Sequence, residues 1–93
     1  MKKYELKQKM DIIVEATQFC GDIQKLEIFL EKHGTNLEKC FKILGIDEKG
    51  NYIISCNTLH GEEIIKNHYI VFVGERITIF TRKAFEFFFI EKE

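Results

Sequence analysis

The sequence predicts an α+β fold: a small antiparallel β-meander sheet packed with one main helix over about 22–33, completed by a short second helix or helical turn near 81–86. Three observations predict it. Apolar residues alternate, or run unbroken, in several short stretches of strand length. One stretch alone carries a clear helical spacing. Glycine-containing pairs, Gly21-Asp22, His60-Gly61 and Gly74-Glu75, punctuate the chain where such elements would end.

Residues 2–9 are charged and read as a frayed lead-in. Residues 10–19 (MDIIVEATQF) read as a strand. Ile12, Val14, Ala16 and Gln18 share one face, and Ile13, Glu15, Thr17 and Phe19 share the other. Asp22 is a good helix N-cap, because its carboxylate can accept from the amides of the first turn. Ile23, Leu26, Leu30 and His33 then follow at helical spacing, with Ile28 and Phe29 widening the stripe. Gly34 closes this helix.

The segment 35–45 supports two readings. Thr35-x-x-Glu38 has the form of a capping box opening a second helix. Residues 40–46 also suit a strand running into a turn at 47–51. The strand is favoured, because strand signals follow it at regular intervals. Residues 52–58 (YIISCNT) read as a strand, His60-Gly61 as a hairpin turn, and 62–66 as a charged, edge-like return. Residues 69–73 (YIVFV) are apolar on both faces, the pattern of a central strand. Gly74-Glu75 has glycine first, as a two-residue hairpin turn wants, and 76–80 returns antiparallel. Thr81 can cap a helical turn. Beyond it, 85–90 reads either as a last strand or as a short buried helix.

Composition narrows the function. The chain has 93 residues, which predicts one domain over 1–93 with a small core. Hydrophobic residues make up 45% and charged residues 31%, the balance of a globular domain. The net charge of −1 predicts no nonspecific attraction to nucleic acid. No apolar run reaches the length of a membrane helix, and residues 1–5 turn polar at once, so neither membrane partner nor signal peptide is expected. Cys20, Cys40 and Cys56 are odd in number and form no CxxC pair, and His33, His60 and His68 lack metal spacing. Three reduced thiols in a cytoplasm, no metal and no cofactor are expected.

Catalytic patterns are weak. No motif joins a cysteine to a histidine. The adjacent carboxylates Glu62-Glu63 and Asp47-Glu48 point to opposite sides of an extended chain. No glycine-rich phosphate loop occurs. The expectation is therefore a protein that binds rather than catalyses. Its ligand candidates lie around one strand: Arg76, Thr78, Thr81, Arg82 and Lys83, with the amides of a capped turn and the cations facing an anion. Gln18 joins them, because it falls on an apolar face where its amide must find partners. His68, at the opening of the central strand, completes the set. Five phenylalanines fall between Phe80 and Phe89, more than one face can bury. Phe85, Phe87, Phe88 and Phe89 are read as an interface, which predicts a homo-oligomer.

Val14-Glu15-Ala16-Thr17-Gln18-Phe19, then Thr58-Leu59-His60-Gly61, Tyr69-Ile70-Val71 and 77–89 stand in the order and spacing of a known pattern. In these stretches the chain resembles a family of small phage proteins without settled activity. They carry a VEAxQ-aromatic strand near the N-terminus and a GDYIIxG…GExYPCKPDIFExxYE tail. Phe85-Glu86 stands at the family's Phe-Glu, and Phe89 at its terminal tyrosine. Ile79-Phe80-Thr81-Arg82 replaces its Pro-Cys-Lys-Pro, and His68 its turn aspartate. The resemblance covers most of the chain and is least clear over 35–51. It implies a phage-encoded accessory protein of the host bacterial cytoplasm. Such a protein would evade immunity by sequestering a nucleotide signal or masking a defence protein. The alternative is a structural phage protein whose Phe-rich tail mediates oligomerisation.

Overall fold

A computed structural model describes residues 2–6, 13–74 and 76–92. The fold is α+β, with eight strands and three helices among these residues. The strands form two antiparallel sheets rather than one meander. The chain divides into two compact units, Met1–Gln18 with Asn67–Glu93, and Phe19–Lys66.

The first unit holds a five-stranded sheet. Its strands are β1 (Lys2–Leu6), β2 (Ile13–Gln18), β6 (Tyr69–Val73), β7 (Arg76–Phe80) and β8 (Phe89–Lys92), in the order β7-β6-β2-β1-β8. The lead-in expected at 2–9 is therefore corrected over 2–6. β1 pairs with β2 on one side and with β8 on the other, so its backbone groups are satisfied despite a charged sequence. Tyr4 is its buried anchor. Ile70, Val71 and Phe72 of β6 are all buried, the pattern of a strand covered on both faces. Met10, Ile12 and Glu75 lie outside the described residues, and with them the start of the first predicted strand and half of the Gly74-Glu75 turn.

Pairing puts Val14, Ala16, Tyr69, Val71 and Phe80 on the same face of this sheet as Tyr4 and Phe89. Helix α3 (Arg82–Phe88) covers that face with one ring, Phe85. Phe85 stacks on Tyr69 at 3.9 Å between centroids and meets Tyr4 edge-on at 4.7 Å. Phe89 stacks on it at 4.8 Å. Truncating a buried phenylalanine of this kind costs about 3–5 kcal/mol. Both alternatives expected after Thr81 are thus realised in succession, a short helix and then a strand.

The second unit carries α1 (Ile23–Lys32), α2 (Leu37–Cys40) and the sheet β3-β4-β5, formed by Lys42–Ile46, Tyr52–Thr58 and Gly61–Ile65. Asp22 caps α1, accepting from the amides of Gln24 and Lys25. Leu26, Phe29 and Leu30 are fully buried, whereas Ile28 is 61% exposed and does not belong to the stripe. The helix ends as its glycine predicts. Gly34 takes φ +77°, its amide donates to Glu31, and the Thr35 amide donates to Leu30.

Residues 35–46 realise both readings in sequence. Asn36, not Thr35, caps the four-residue α2, accepting from the Lys39 amide. The strand then begins at Lys42, not Cys40. The β4–β5 turn is shifted by one residue from the expected His60-Gly61. Thr58 pairs with Gly61, so Leu59-His60 form the loop, and Thr58 Oγ1 accepts from the His60 amide and donates to the Gly61 carbonyl. In the β3–β4 turn, the Asp47 carboxylate accepts from the amides of Lys49 and Asn51. The Asn51 amide leads the effects that hold its pKa below the ordinary value.

Gly21 closes the second unit on itself. Its carbonyl accepts from the Tyr52 amide, its φ is +104°, and a Cβ there would stand 2.6 Å from the Asn51 side chain. Gly21→Ala is expected to destabilise the protein by about 2–3 kcal/mol, combining an unfavourable dihedral with a clash. A urea titration followed by circular dichroism checks it, and an unchanged midpoint would refute the assignment.

Candidate functional site

The structure does not bring all the predicted ligand residues together. Gln18, Tyr69 and Phe80 form one row across β2, β6 and β7, and Thr81 follows directly on that row. Gln18 is half-buried, and its Nε2 donates to the Asn67 carbonyl at 3.1 Å. His68, also half-buried, lies between Asn67 and this row. Arg76 stands at the other end of β7, about 13 Å from Phe80 at the usual rise of a strand. Thr78 lies between them, exposed.

At the start of α3 the local groups largely satisfy one another. Thr81 Oγ1 accepts from the Ala84 amide, and the Thr81 carbonyl accepts from Phe85. Arg82 Nε reaches forward one turn to Glu86 at 3.0 Å, with both side chains more than half exposed. Such a pair contributes about 0–1 kcal/mol. Lys83 is exposed. Of the four phenylalanines read as an interface, Phe85 and Phe89 fill the chain's own core. Phe87, at 70% exposed, and Phe88, at 39%, face outward.

A different place offers a concave surface. In the second unit a partly open cleft of about 200 Å³ lies against α2 and the sheet. Three of its lining residues, Phe41, Ser55 and Cys56, are buried. Its rim carries Glu38, Lys39, Lys42, Asn57 and Glu62, all exposed. Cys40 completes the lining, with its Sγ 3.5 Å from Thr35 Oγ1.

The register of β4 with β5 builds the polar part of this cleft. Asn57 pairs with Glu62, and Ser55 lies diagonally from Glu62 on the same face. Ser55 is 1% exposed, and a hydroxyl so placed needs a partner. It donates to Glu62 Oε1 at 2.9 Å. Removing a hydrogen bond to a charged group costs about 1.5–3 kcal/mol. The carboxylate has about four acceptor positions, and Ser55 takes one.

None of the cleft residues was among the predicted ligand set. The signal was nevertheless in the sequence: Ser55, Cys56 and Asn57 interrupt an apolar strand, and a polar group inside such a strand implies a partner across the sheet.

The thiols do not favour covalent chemistry here. Burial pushes the Cys56 pKa above the ordinary thiol value, and the negative charge of Glu63 raises it further. The nucleophilic thiolate is therefore scarce at neutral pH. Among the described residues, no three His, Cys, Asp or Glu side chains converge as a metal site would require. No helix of the described residues is long and apolar enough to cross a membrane. No family model, curated protein or solved structure matches the chain.

The thiol environments give a direct check. With iodoacetamide near pH 7.5, exposed Cys20 is expected to be alkylated first and Cys56 last, the difference vanishing in urea. Peptide mass spectrometry reads the order, and rapid native labelling of Cys56 would contradict its assigned burial.

Proposed function

We propose that this protein is a non-enzymatic accessory protein of the phage type that counters bacterial defence by holding a small nucleotide signal. One observation carries the reading: the cleft of the second unit, in which a buried hydroxyl and a carboxylate meet beside two exposed lysines and an asparagine. The lining of this cleft is predominantly polar, and convergent polar groups of this kind fix and orient a small ligand. The neighbouring groups favour binding over turnover. The Ser55 hydroxyl is directed to Glu62, and Cys56 is held as the thiol. The resemblance of the motif order to small phage proteins supplies the biological setting. Masking of a defence protein is the other form this activity would take.

Sequestration predicts stabilisation by mass action, about 2.7 kcal/mol when free ligand stands at 100 times Kd. A panel of linear and cyclic nucleotides is expected to include at least one that raises the melting temperature by several degrees. Heat denaturation should then release that ligand chemically intact. A flat panel would overturn the nucleotide reading, and a converted ligand would overturn the non-enzymatic one.

A second reading rests on Phe87 and Phe88. Their rings touch edge-on at 5.1 Å, both are exposed, and the edge strand β8 follows directly. In a structural phage protein this patch would join copies of the chain. Phe87→Asp and Phe88→Asp are then expected to halve the mass measured by light scattering, or reduce it further. A wild-type chain that is already monomeric would dismiss this reading.

A further inference from the structure

We infer that the cleft of the second unit recognises a guanine base, with Glu62 reading its donor edge and Lys39 and Lys42 holding the attached phosphate. The inference rests on the nucleotide-binding reading above and specifies its ligand. A cleft of about 200 Å³ is below the roughly 300–1,000 Å³ of sites that enclose drug-sized ligands. It admits one planar base and leaves ribose and phosphate at the rim.

Glu62 decides which base. An ionised carboxylate only accepts hydrogen bonds. Guanine presents two adjacent donors, N1–H and N2–H₂, that match two carboxylate oxygens. Adenine presents one donor beside an acceptor on the same edge, and the acceptor would face a negative charge. Cytosine has the same mismatch, and uracil offers a single donor between two acceptors. Ser55 orients Glu62 from within by donating to Oε1, so the acceptor is fixed before a ligand arrives.

The rim sets two lysines against Glu38 and Glu62, and the lysines are the groups that would take a phosphate. Lys39 lies in the last turn of α2 and Lys42 opens β3, both line the cleft, and both are exposed. Neither is engaged in an ion pair with a described residue. An ammonium there attracts phosphate without fixing its geometry, as lysine does at many phosphate sites. Asn57, across from Glu62, has both a donor and an acceptor for the remaining base edge or ribose.

Titration calorimetry with the full chain tests this, using GMP, AMP, CMP and UMP as probes. GMP is expected to bind at least about tenfold more tightly than the others, as loss of one hydrogen bond to a charged group implies. Glu62→Gln keeps a carbonyl for Ser55 but introduces donors toward the base. It is expected to weaken GMP about 10- to 100-fold, with the fold checked by circular dichroism. Lys39→Gln with Lys42→Gln should weaken all four nucleotides and leave guanosine unaffected. If AMP binds as tightly as GMP, or Glu62→Gln leaves GMP unchanged, the guanine assignment fails while sequestration stands. If none of the four nucleotides binds and the melting panel is also flat, both fail.

Discussion

The ring of Phe85 is the contact on which the five-stranded unit depends. From α3 it reaches Tyr4 on β1, Tyr69 on β6, Phe80 on β7 and Phe89 on β8. These strands come from both ends of the sequence, and one side chain gives them a common point. A seven-residue helix has little stability of its own. The Thr81 cap at one end and the burial of Phe85 in the middle hold it. The outward position of Phe87 follows from the same constraint. Two residues along a helix turn the side chain through about 200°, so a buried Phe85 directs Phe87 toward solvent.

Much of this architecture was legible in the sequence, and the failures have local causes. The stripe of Ile23, Leu26 and Leu30, the Asp22 cap and the Gly34 stop specified α1 because several independent signals agree there. β1 escaped notice because its anchor, Tyr4, sits among lysines and a glutamate. What makes it a strand is backbone pairing on both sides, which leaves no mark in side-chain pattern. Residues 35–46 carried two true signals. The two are consecutive rather than rival, since four residues suffice for α2 before the strand begins.

The candidate site was less legible for a related reason. A sequence shows which polar groups exist but not which have already been satisfied. Thr81, Arg82 and Gln18 looked available, yet each bonds a group of the chain itself, Ala84, Glu86 and Asn67 respectively. Ser55 and Glu62 looked unremarkable, one inside an apolar strand and the other in a charged edge. The two-residue loop at Leu59-His60 fixes the register that makes them diagonal neighbours. A one-residue slip would send Glu62 to the opposite face and remove the carboxylate from the cleft. The chemistry of the cleft therefore rests on a turn that contributes no atom to it.

The second unit leaves the five-stranded sheet after Gln18 and returns at Asn67, where the Gln18 amide bonds the returning backbone and β2 lies beside β6. It is thus an insertion between two neighbouring strands. The entropy of closing such a connection grows only logarithmically with its length, about 0.6 kcal/mol for each doubling. The length of 19–66 by itself therefore adds little chain-entropy cost to the pairing of β2 with β6. By that measure the sheet tolerates an insertion of many lengths between β2 and β6, and the cleft lies wholly within that insertion.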